Sequence, residues 1–176
     1  MGALLGAIIT GLIAIFIMYR TIVNNRKQDK KKMINDFLKE SHFLLYSVGG
    51  LINHTNTYVK YQLEEEKVKR TGRGPLPDSE LSEIKEAKRL NETDIAEYLR
   101  KIKSVDRNAF PIDAFDIYLD ILRITEETVE YFWQRSLKWS VGGVADILED
   151  AIKDLNTLKD ALEQKYKEKE KEYNSL

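Results

Sequence analysis

Apolar positions along this chain form an unbroken run at the start and stripes of helical period thereafter. Residues 1–19 carry no charged side chain, and Thr10 is the only hydroxyl between Ala3 and Met18. At 1.5 Å rise per residue a helix of that length covers roughly 28 Å, close to the ~30 Å hydrocarbon core of a bilayer. The pattern predicts one transmembrane helix over residues 1–19, extended through Ile22 and Val23 where Arg20 snorkels toward the headgroups. A cleaved signal peptide would need a basic segment before a shorter apolar core and a small-residue cleavage site after it, and the sequence has neither.

From Met33 to about Lys69 the beat becomes helical. Ile34, Leu38, Leu45, Val48, Ile52 and Val59 form one row, and Phe37, Leu44, Leu51 and Tyr58 form an adjacent row at seven-residue spacing. Together they make one wide apolar face. Gly49-Gly50 interrupts this helix and predicts either a kink or the close approach of another backbone. The four residues Ser47 to Gly50 recur as Ser140 to Gly143, but the flanks do not align.

Gly72, Gly74, Pro75 and Pro77 predict a loop, after which Asp78 or Ser79 caps a helix running through Leu81, Ile84, Ala87 and Leu90. The stretch Asn91 to Asp94 resembles a second cap and predicts a break before Ile95, Leu99 and Ile102. A connection over residues 106–110 ends at Pro111, suited to a helix start. Tyr118, Leu122, Thr125, Val129, Phe132, Ser136 and Trp139 then alternate spacings of four and three, which places Phe132 and Trp139 in the core and Tyr131 nearer the surface. The last helix carries a heptad seam of Val144, Leu148, Ala151, Leu155, Leu158 and Leu162. Beyond it the seam positions become Lys165 and Lys169, so a charged tail projecting into solvent is expected.

The expected fold is therefore all-α: a transmembrane anchor over 1–19, a basic juxtamembrane linker over 20–32, and an antiparallel helical bundle of about four long helices over 33–176 with coiled-coil-like seams. Those seams suit an intramolecular bundle and self-association between copies equally well.

Charge orients this picture. Arg20, Arg26, Lys27, Lys30, Lys31 and Lys32 face one acid, Asp29, a net of +5 over residues 20–32. The positive-inside rule keeps that flank in the cytoplasm, with the short N-terminus outside a cell membrane and the bundle inside. The same six residues are the expected contacts for anionic headgroups. Residues beyond the flank are mildly acidic, which argues against nucleic-acid binding. The absence of cysteine removes disulfides, thiol nucleophiles and thiolate metal sites.

Candidate chemistry is sparse. Gly2, Gly6, Thr10 and Ala14 repeat every four residues, a spacing that lets two membrane helices approach closely and associate. His42 and His54 belong to no metal-ligand spacing, and no cofactor is expected. Lys67, Lys69, Arg70 and Arg73 form a basic patch without a phosphate-loop signature. Glu127-x-x-Glu130 followed by Asp146-x-x-Glu149 resembles the magnesium-binding carboxylates of all-helical nucleotide pyrophosphohydrolases, with the second pair reversed. Two functions follow. The first is a single-pass, membrane-anchored helical interaction or scaffolding protein, non-enzymatic, with a protein partner or further copies of itself. The alternative is a membrane-tethered, metal-dependent phosphohydrolase using those four acids.

Overall fold

A computed structural model describes residues 2–70, 78–138 and 143–176, with side chains described for residues 12–64, 67, 82–83, 85–135 and 143–176. Every element among them is helical: α1 (Gly2–Arg70), α2 (Asp78–Lys103), a 3-10 turn (Arg107–Ala109), α3 (Ile112–Arg123), a π-helical turn (Ile124–Glu130), α4 (Tyr131–Lys138) and α5 (Val144–Ser175). Since α3, the π turn and α4 follow one another directly, the described residues form four arms.

The arms run up, down, up and down along α1. Lys88 meets Gln62, Tyr98 lies against Gly50, and the Asp106 amide donates to Glu40, so α2 descends antiparallel to α1. Phe110 packs on Phe37 while Phe132 joins Val59, so the third arm ascends. On α5, Val144 clusters with Val59, Tyr166 meets His42 and Glu172 meets Lys30, so this arm descends again. The expected antiparallel four-helix bundle is present.

Its centre is the row read from the sequence. Phe37, Leu44, Leu51 and Tyr58 are fully buried, and each contributes about 1.5–3 kcal/mol by leaving water. A second buried row was not expected: Ile34, Ser41, Val48, Thr55 and Gln62 also fall at seven-residue intervals. Polar members disguise its period. Lys88 donates to the Gln62 side-chain oxygen at 2.9 Å at the row's end.

Several local expectations are corrected. Gly49 and Gly50 do not interrupt α1, and the group seated on Gly50 is the Tyr98 ring rather than another backbone. The supposed break at residues 91–94 is absent. There the Asn91 side chain donates to the Ala87 carbonyl one turn back, and α2 continues through it. Leu90 is exposed, leaving Ile95, Leu99 and Ile102 as the inward row of α2. On the third arm Trp133, not Phe132, is buried. The π turn holds nearly an extra residue per turn, so positions four apart stay on one side and Thr125, Val129 and Trp133 line up inward. The side chain of Ser136, Trp139 and the loop at residues 71–77 lie outside what is described. Gly143, before α5, has φ +87°, a conformation open to glycine without strain.

The Gly50 seat makes a test. In a helix interior Gly→Ala normally adds about 1 kcal/mol of stability. Here the new methyl would run into Tyr98, whose ring stacks on His54 at 5.6 Å and carries the Lys101 ammonium 4.7 Å from its centroid. Gly50→Ala should therefore gain nothing or destabilise, yet stabilise by about 1 kcal/mol once Tyr98→Ala has cleared the seat. Denaturant midpoints of the four proteins in this cycle would measure the coupling, and strict additivity would refute the packing account.

Candidate functional site

The region unlike the rest of the fold is the N-terminal part of α1. Residues 12–30 are all exposed, and the first buried position among the described side chains is Ile34. Eight consecutive residues, Leu12 to Tyr19, pass around the helix more than twice, so apolar side chains point in every direction. Leu12 is 62% exposed and Phe16 65%. A globular surface helix is polar on one face, and this one is not. The one hydroxyl just past the run is satisfied internally, since Thr21 donates to the Ile17 carbonyl at 2.9 Å.

Among the described residues no helix is long and apolar enough to cross a membrane. The spanning anchor expected over residues 1–19 is thus not borne out there; Met1 and the side chains of residues 2–11 lie outside the description. Of the small-residue row, Gly2, Gly6 and Thr10 share that position, and Ala14 is exposed.

The basic flank follows on the same helix. Arg20, Arg26, Lys27 and Lys32 are exposed. Lys30, which is exposed as well, and Lys31 are met by the end of α5: Lys30 Nζ lies 2.7 Å from Glu172 Oε1, and Lys31 Nζ lies 5.7 Å from the Tyr173 ring centroid. The expectation of a tail projecting into solvent is corrected here. The helix stays on the bundle because Lys165 and Lys169 reach Asp113 of α3 at 3.9 and 3.6 Å, and Lys169 also bonds Glu172. Exposed pairs of this kind are individually weak, so the tail is held by several weak clasps.

The Lys30 ammonium, ahead of Lys169, holds the Glu172 carboxyl below its ordinary value of 4.5 although partial burial opposes this. A depressed folded-state pKa means the clasp is fully present above the ordinary carboxylate range and is lost as pH falls through the depressed value. Protection factors over residues 166–176, taken against the intrinsic exchange rate at each pH, should accordingly fall on acidification before those of the bundle core do. In Glu172→Gln that exchange should already be fast at neutral pH. Equal exchange in the two proteins at pH 7 would remove Glu172 from the account.

Between flank and bundle lies a cavity of about 540 Å³, with Phe37, Phe110 and Pro111 among its apolar walls and Lys30, Lys169 and Glu172 among its polar ones. Its cations and anions are mixed, so it favours no charge class. Ile112 beside it is 93% exposed.

The four acids of the alternative reading are not brought together. Glu130 receives Lys103 at 2.6 Å, while Glu127, Asp146 and Glu149 are exposed. The described residues contain no cluster of three or more histidine, aspartate or glutamate side chains able to hold a metal ion. His42 lies at the surface against Tyr166. His54 is half-buried, with Nδ1 3.0 Å from Asn91 Oδ1 and 3.3 Å from Asp94 Oδ2. Of the α5 seam, Val144, Leu148, Ala151, Leu155 and Leu162 are buried within the chain's own bundle, and Leu158 packs at its edge. Tyr131 is exposed, as expected from its spacing.

Sequence reasoning missed the Lys30–Glu172 and Lys31–Tyr173 contacts. The available signal was geometric: an α5 long enough to descend the whole of its partner brings its acidic end to the basic flank. No protein-family model, curated protein or solved structure matches the chain.

Proposed function

We propose that this protein is a single-pass membrane tether carrying a helical interaction module, with the apolar start of α1 in the bilayer, its N-terminus outside, and the bundle on the cytoplasmic side. The observation that carries this reading is one helix continuous from Gly2 to Arg70, whose residues before the bundle are apolar on all sides and then abruptly basic. Lipid is the solvent in which such a helix buries its surface without a protein partner. The basic flank adds about 1 kcal/mol of attraction per residue near an anionic leaflet. The far end of α1 would then stand about 70 Å beyond Val23, which suits presenting a docking surface at a distance from the membrane. The role is scaffolding for a protein partner or further copies of the chain.

Vesicle flotation tests it. The full chain should float with phosphatidylcholine–phosphatidylglycerol vesicles and resist a carbonate wash. Leu12→Arg combined with Phe16→Asp should leave most of it at the bottom of the gradient, since a charge at membrane depth costs about 2.5–3.5 kcal/mol. Wild-type protein that is released by carbonate would end the tether reading.

A further inference from the structure

We infer that the C-terminal end of α5 and the anionic headgroups of the bilayer compete for the same two cations, Lys30 and Lys31, so that an anionic membrane unclasps the tail. The inference rests on the tether reading above and adds its regulation.

The geometry sets up the competition. Lys30 lies seven residues past Val23, about 10 Å along the helix, a little beyond the ~8 Å Debye length at physiological salt. The ammonium reaches back further on its four-carbon stem, into the layer where phosphates of a leaflet lie. In the fold described here that ammonium instead meets Glu172, and its neighbour Lys31 lies over Tyr173. Neither partner outclasses the other. An exposed carboxylate pair and an exposed cation–π contact are each weak, and the pull of an anionic leaflet on each lysine is of similar size.

The remaining basic residues do not share this conflict. Arg20, Arg26, Lys27 and Lys32 are exposed. They hold the flank at the surface whatever the tail does, while Lys30 and Lys31 change partner. Leu162 is fully buried, and the Lys165 and Lys169 contacts with Asp113 belong to the bundle itself. The released segment is therefore the last turns of α5, centred on Glu172 and Tyr173, and not the whole helix. Once free it exposes Tyr173 and an acidic side chain on the membrane-facing end of the bundle.

The experiment uses the full chain in nanodiscs of phosphatidylcholine alone or with one third phosphatidylglycerol, and reads hydrogen exchange of residues 166–176. Exchange should be about threefold faster or more in the anionic discs, with the core positions around Leu51 unchanged. Glu172→Gln with Tyr173→Ala should raise exchange in the neutral discs to the anionic level and abolish the difference. Sodium phosphate added to neutral discs at matched ionic strength should not reproduce it. Equal tail exchange in both discs overturns the competition while leaving the tether intact, and release by free phosphate assigns it to simple screening and overturns it as well. A chain that fails to enter either disc overturns tether and competition together.

Discussion

Phe37→Ala should lower the unfolding free energy by about 3–5 kcal/mol, the range for a large aromatic removed from a packed core. Phe37 is 1% exposed and heads the row Phe37, Leu44, Leu51 and Tyr58. Its ring meets Phe110 edge-on at 5.6 Å, and Phe110 in turn stacks on Tyr118 at 4.6 Å. Three elements converge on this contact: α1, the corner after the 3-10 turn, and α3. The corner is otherwise held by small devices, with Asp106 accepting from the Asn108 amide and donating its own amide to Glu40. With the ring gone, Phe110 loses the face it closes against, and the second hairpin of the bundle loses its registration on α1. Denaturant unfolding of the full chain in detergent, followed by circular dichroism, measures the loss. A cost under about 1 kcal/mol would mean that the rings fill space without holding the corner.

Deleting Glu127 should be tolerated, which is unusual for a deletion inside a helix. Glu127 is exposed and lies in the π turn Ile124–Glu130. The inward residues of the third arm are Tyr118, Ile121, Thr125, Val129 and Trp133, at spacings of three, four, four and four. Removing one residue after Thr125 turns these into three, four, three and four, the seam of an ordinary α-helix. Trp133 should stay buried and stability should move by less than about 1 kcal/mol. Deleting Asp154 from α5, equally exposed but in regular helix, is the contrast: it rotates Leu155 and Leu162 by about 100° away from α1. At roughly 1.5–3 kcal/mol per displaced side chain, that deletion should remove most of the stability of a domain this size. Trp133 emission, read in a Trp139→Phe background, reports burial in the first variant. A red shift on deleting Glu127 would show that the π turn is not where the extra residue is stored.

The same residues explain what could be read from the chain and what could not. Apolar positions at steady spacing in α1 and α5 gave the bundle, its antiparallel order and most of its core, because burying one wide stripe per helix leaves few arrangements. Ser41, Thr55 and Gln62 were passed over since their polarity hid a seven-residue period anchored by Ile34 and Val48. The π turn breaks the count on the third arm, and no residue type announces a change in hydrogen-bond register, so regular spacing points to Phe132 where Trp133 is buried. Lys165 and Lys169 read as the end of a seam because their acid, Asp113, belongs to an element distant in sequence. Partnerships across arms are set by length and level, which periodicity alone does not encode.

An unbroken α1 also has a mechanical consequence. In a tethered molecule the segment in the bilayer and the central column of the bundle belong to one helix, unbroken over its described residues. Membrane helices tilt by about 20° on average, and the tilt follows the thickness of the lipid around them. Over a lever of about 70 Å such a tilt swings the far end sideways by roughly 24 Å. Bilayer thickness would then be geared directly into the area that the distal pole sweeps, with the short intramembrane arm driving the longer arm outside.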